Sequence, residues 1–67
     1  MSVARVTEIS AMSETSFDDA VKVGVERASK TLRGMSSAWV KEQRVTVKDG
    51  KVSAYQVNLM VTFILDD

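Results

Sequence analysis

Apolar and polar residues alternate in the second half of the chain and recur every three to four residues before it. From Ser37 to Leu65 the chain reads SAWVKEQRVTV, then KDGK, then VSAYQVNLMVTFIL. Two runs rich in Val and Thr flank Lys48-Asp49-Gly50-Lys51. That is a hairpin pattern, because both central residues of a type I′ turn need positive φ and Asp-Gly supplies them. With Asp49 and Gly50 as a two-residue loop, Lys48 faces Lys51. Trp39 then falls opposite Met60, Lys41 opposite Asn58 and Gln43 opposite Gln56, and these side chains share one face. Val40, Val57, Leu59, Val61 and Phe63 take the other, a core layer. A bulge at the turn would shift the register by one and break these pairings.

The helical period runs through Phe17, Ala20, Val21, Gly24, Val25, Ala28 and Leu32, with Lys22, Glu26, Arg27 and Lys30 elsewhere. Ser16 is placed as N-cap, with Asp19 where a capping box carries Glu or Gln. Asp18 and Asp19 put negative charge at the favourable end of the helix dipole. Lys30 and Arg33 fall in the expected last turn, and Gly34 at the C′ position. Small residues along the stripe allow the helix to lie close to a sheet, with Gly24 permitting close backbone approach. Val3–Ser10 is a short strand candidate and Ala11–Thr15 a connection. The expected subunit is α+β, one domain over residues 1–67, in the order β-α-β-β. A three-stranded antiparallel sheet packs on one amphipathic helix. Its second face, with Trp39, Met60, Gln43, Gln56, Asn58, Thr62 and Ile64, has no cover in the chain. The last strand, Lys51–Leu65, is expected to run beyond its partners, and Asp66 and Asp67 follow with charge.

Composition narrows the chemistry. A chain of 67 residues buries only about 60% of its unfolded surface and needs support. It has no Cys and no His, which removes disulfides, thiolate and imidazole chemistry and the usual zinc sites. Oligomerisation is the support that remains. Nine basic and nine acidic residues balance, so no long-range field draws in nucleic acid or anionic membrane. The start, MSVARVTEIS, lacks an apolar h-region, and no apolar run approaches membrane-spanning length, so a cytoplasmic protein is expected. No catalytic residue is expected, since a base would have to be a carboxylate or Lys and Ser36-Ser37 has no base partner. Glu42 and Arg44 share a strand face and read as an ion pair. The pairs Asp18-Asp19 and Asp66-Asp67 read as solvated carboxylates, and no metal site is expected. Trp39 has two readings: an anchor at a subunit interface, or a platform that stacks a planar ligand beside a Gln that bonds its polar edge.

SETSFDDAV leads into the helix, VERASKTLR continues it, and VKEQR and AYQVNLMVTF follow. In these segments, in this order and spacing from Val6 to Leu65, the chain resembles the dodecins. The resemblance implies a helix on a strongly curved three-stranded antiparallel sheet, in a homododecameric hollow shell. It implies flavins, FMN or riboflavin, bound in pairs at two-fold axes between subunits, sandwiched by Trp and hydrogen-bonded by a Gln. The implied role is storage or sequestration, not turnover. Gln56 matches the family Gln. Arg44 matches a basic position that approaches the ligand phosphate in some members, although strict alternation puts Arg44 on the helix side unless a bulge or a neighbouring subunit intervenes. The stacking Trp of familiar members corresponds to Ser37. Trp39 stands two residues on, which preserves the face but moves the ring about 6.5–7 Å along the strand. A basic residue that some members carry near the end of the last strand corresponds to Ile64. The expected flavin site is therefore Trp39, Gln56, Ser37 and Arg44. The alternative is a dodecin-like structural, small-ligand or metal storage shell that binds no flavin because the Trp is displaced.

Overall fold

A computed structural model describes residues 3–65. The elements are β1 (Val3–Ser13), α1 (Phe17–Ser29), β2 (Met35–Lys48) and β3 (Lys51–Leu65), the expected β-α-β-β order. β1 and β2 both pair antiparallel with β3, which lies between them in one three-stranded sheet. β1 and β2 therefore run parallel, with β3 inserted, as in a split βαβ unit. Asp66 and Asp67 lie outside the described residues.

The hairpin turn is as the sequence predicts. Asp49 (φ 53°) and Gly50 (φ 74°) are both left-handed, and Lys48 pairs with Lys51. Beyond it the register is interrupted. Between the pairs Val47–Val52 and Thr46–Ala54 an extra residue, Ser53, shifts it by one; between Glu42–Asn58 and Val40–Leu59 another, Lys41, shifts it back. Trp39 thus faces Met60 as expected. The stretch between the bulges is inverted relative to expectation: Glu42 replaces Lys41 opposite Asn58, and Arg44 replaces Gln43 opposite Gln56. Gln43 faces Val57 on the helix side instead. A third bulge, at Ser36, precedes Ser37. Two of the bulge residues are serines that donate across the ladder, Ser53 Oγ to the Thr46 carbonyl (3.2 Å) and Ser36 Oγ to the Thr62 carbonyl (3.4 Å). These bonds satisfy backbone groups near the interruptions.

β1 continues through Ala11 to Ser13, where a connection is expected. Ile9, Ala11 and Ser13 pair with Leu59, Val57 and Tyr55 on the helix side, so Glu8, Ser10 and Met12 fall on the other. Ser16 caps α1, its Oγ accepting from Asp19 N at 2.9 Å. The return arm of a capping box is replaced. The Asp19 carboxylate accepts from Ser13 Oγ (2.6 Å), which itself accepts from the amides of Thr15 (2.9 Å) and Ser16 (3.4 Å). The buried Ser13 therefore fastens the end of β1 to the start of α1.

Ala20, Gly24 and Ala28 are the buried helix positions. A Cβ on Gly24 would stand 2.9 Å from the Ala11 Cβ, so glycine sets how closely α1 approaches β1. The helix stops at Ser29, with Lys30 as C-cap, short of the expected end. Leu32, Arg33 and Gly34 belong to the connection, and Gly34 is not the C′ residue. Gly34 (φ 74°) accepts from Ile64 N through its carbonyl at 3.0 Å, and a Cβ there would stand 2.9 Å from the Ile64 carbonyl oxygen. The connection runs against the β3 backbone, which a side chain would prevent.

Ala20, Val57, Leu59 and Val61 form the buried centre, with Ile9, Ala11, Phe17, Val21, Val25, Met35 and Phe63 packed around it. Phe17 meets Tyr55 edge to face, with ring centroids 5.1 Å apart. The helix covers β1 and β3 and leaves β2 exposed from Ser36 to Lys48. Val40, expected in the core, is 38% exposed for that reason. β3 does not overrun its partners: it is paired with β2 from Lys51 and with β1 from Tyr55 to Leu65. Toward the turn, past the end of β1, β2 and β3 continue as a two-stranded ribbon on which Val47 and Val52 are exposed. The subunit is elongated, 51 × 19 × 14 Å.

Candidate ligand-binding face

The helix-free face is built in rows across the sheet. Met12, Gln56 and Arg44 form one row; Ser10, Asn58 and Glu42 the next; then Glu8, Met60 and Trp39; then Val6, Thr62 and Ser37. Opposed residues on antiparallel strands share a face, so all four expected site residues, Trp39, Gln56, Ser37 and Arg44, stand on this one. Arg44 reaches it through the Ser53 bulge, within its own subunit.

Polar side chains in the first two rows are linked. Gln56 Nε2 donates to Ser10 Oγ at 3.0 Å and to Asn58 Oδ1 at 3.3 Å. Asn58 Nδ2 donates to Glu42 Oε1, and that oxygen lies 3.7 Å from Arg44 Nη2. Both of these Gln56 bonds leave from Nε2, so neither uses the acceptor Oε1. Lys41 sits at the bulge and reaches across β3 to Glu8, 3.1 Å away.

Trp39 borders this strip and is 51% exposed. A large flat apolar ring lying open to solvent carries an energetic gain for whatever stacks on it. Trp39 and Gln56 are two rows apart, about 13 Å along β3. At Ser37 the indole would be a row farther away, so displacement of the Trp brings it nearer the amide. The face thus combines a stacking surface with a strip of hydrogen-bonding groups. It holds no imidazole or thiol, and its carboxylates are matched by cations. An open groove of about 500 Å³ lies elsewhere, between α1 and the free edge of β1, lined by residues such as Ile9, Ala11, Val23 and Ala28, and none of the four expected site residues borders it.

The dodecin family model matches residues 3–66. The chain belongs to the dodecin family. The dodecin of Thermus thermophilus is 37% identical to it over 65 residues, covering 97% of this chain and 94% of that one. The solved dodecin of Streptomyces davaonensis has a TM-score of 0.93 at 36% identity, covering 98% of this chain and 97% of its own. The calcium dodecin of Mycobacterium tuberculosis, described as a calcium-chelating immunodominant antigen with a novel calcium-binding site, has a TM-score of 0.82 at 32% identity, with 96% and 91% covered. Dodecins are non-catalytic binding proteins that form homododecamers; they typically bind flavins, and some bind calcium. Among the described residues, no helix is long and apolar enough to cross a membrane.

Ser10 and Glu8 were not foreseen on this face. Their signal is the alternation Glu8, Ser10, Met12 against Ile9, Ala11, Ser13, which emerges only when the strand is carried past Ser10. Glu42 was foreseen as the partner of Arg44 but not as a member of the amide network.

Proposed function

We propose that this dodecin assembles as a homododecamer and binds flavin for storage or sequestration, without turnover. Trp39 stacks on the isoalloxazine ring and the Gln56 amide hydrogen-bonds its polar edge. Ser37 leaves room beside Thr62 where other family members carry the Trp, and Arg44 closes the polar end. The observation that carries this reading is the half-exposed Trp39 on the same helix-free face as the Gln56–Asn58 amide strip. Assembly is supported by the exposed β2 and by Val47 and Val52 on the unsupported ribbon, since an isolated two-stranded hairpin is marginally stable.

The test is a titration of riboflavin and FMN into purified protein, following flavin fluorescence, with particle mass measured by light scattering. Strong quenching on a particle of about twelve subunits is expected. A particle of that size that leaves the fluorescence of both flavins unchanged would refute the reading.

The second reading is a shell that stores a cation instead, and likeness to the calcium dodecin favours it. Against it, the carboxylates of Glu8 and Glu42 are each faced by a cation, and no group of three acidic residues converges among the described residues.

A further inference from the structure

Resting on the homododecamer proposed above, we infer that the apolar groove between α1 and β1 is a socket for the β2–β3 ribbon of a second copy of this chain, with Val47 and Val52 of one subunit seated against Val23 of the next. Two apolar surfaces of the subunit lack cover. One is the ribbon. Val45 faces Tyr55 on the helix side of the sheet, and Val47, two residues on, shares that side with its partner Val52. Phe17, the first residue of α1, packs on Tyr55, so this apolar layer runs on about 10 Å past the start of the helix. Val47 is 61% exposed and Val52 49%. Lys48 and Lys51 alternate to the opposite face. The other surface is the groove itself, about 500 Å³, lined by Ile9, Ala11 and Ala28. Val23, which also lines it, is 48% exposed on the outer side of α1.

The ribbon projects past the end of β1, away from the groove that flanks β1 in the same subunit. A single chain therefore cannot fill its own groove, and a second copy can. Charge and spacing agree with that occupant. Arg27 is the charged residue lining the groove, and Asp49 is the carboxylate at the tip of the ribbon. Among the described residues neither enters an ion pair. Arg27 stands one helical turn from Val23, about 6 Å along α1. Asp49 stands two residues past Val47, roughly 6–7 Å along the ribbon. A ribbon laid with Val47 on Val23 thus carries Asp49 to Arg27. An ion pair of this kind sets register more than strength; burial of the valines supplies the attraction. Each subunit offers one ribbon and one groove, so a closed assembly of identical chains can satisfy both on every copy. The contact also steadies a two-stranded ribbon that is marginal when isolated.

The experiment exploits the absence of cysteine from the chain. A full-length double variant, Val23→Cys with Val47→Cys, is oxidised mildly and run on a non-reducing gel. Covalent multimers are expected, because the two positions meet between subunits within disulfide reach, while each single variant stays at one-chain mass. Separately, Val23→Lys and Val47→Lys change exposed positions outside the subunit core. Each should raise the protein concentration needed for half-assembly about tenfold or more in light scattering, with the circular dichroism of the folded subunit kept. A particle of about twelve subunits whose paired cysteines stay unlinked, and whose lysine variants assemble like the wild type, would overturn the inference. It would leave the groove to another occupant and the homododecamer standing. A wild type that stays monomeric would overturn both.

Discussion

Arg44 lies directly opposite Gln56 on the helix-free face of the sheet, although alternation counted from the turn directs it to the helix side. The Ser53 bulge turns it over, and the Lys41 bulge restores the count so that Trp39 still faces Met60. Two compensating insertions thus put the aromatic ring, the amides and a matched pair of charges on one surface. A side-chain period of two makes a single extra residue sufficient to exchange faces.

Trp39→Ala should abolish flavin quenching and leave the particle mass unchanged, because the ring is half exposed and contributes little to the subunit core. Fluorescence titration with light scattering checks this. Loss of assembly on substitution would instead make Trp39 an interface anchor.

Gln56→Leu removes the edge acceptor while retaining the stacking surface. Flavin affinity should fall about tenfold, the size of one neutral hydrogen bond, with quenching still complete at saturation. An unchanged dissociation constant would exclude Gln56 from the site.

Gly24→Ala improves helix propensity by about 1 kcal/mol. It also places a Cβ 2.9 Å from that of Ala11, an atom with no rotamer by which to move. Overpacking typically costs about 1–3 kcal/mol, so the urea midpoint should fall despite the better helix former. Midpoints must be compared at equal protein concentration, because assembly contributes to stability.

Gly34→Ala should destabilise more than Gly50→Ala. Both glycines have φ of 74°, which costs an L-residue about 1–2 kcal/mol. A Cβ at Gly50 meets open space, whereas one at Gly34 meets the Ile64 carbonyl oxygen at 2.9 Å. Equal shifts in the denaturation midpoint would contradict the close approach of the connection to β3.

Legibility in the sequence followed the range of the interactions. The Asp49-Gly50 turn, the Ser16 cap and the small-residue stripe of α1 depend on neighbours within a few positions, and each is found where its residues predict. The end of α1 does not: the periodic pattern extends to Leu32, yet the helix stops at Ser29, and the chain that follows bonds to Ile64 from Gly34. Within the candidate site, Trp39 and Gln56 were legible from alternation and family likeness. Ser10 was not, because its bond to Gln56 requires β1 to lie beside β3, which no local pattern states.

By itself, the sequence determined the element order, the turn type and the buried faces of α1 and β3, since backbone dihedral preference and side-chain periodicity are local properties. Tertiary structure alone decided that β3 is central, that α1 covers β1 and β3 but leaves β2 bare, and that Arg44 and Glu42 turn to the helix-free face while Gln43 turns away. Those outcomes depend on which backbone groups find partners across strands distant in the chain, and a bulge changes that pairing without a side-chain pattern to announce it.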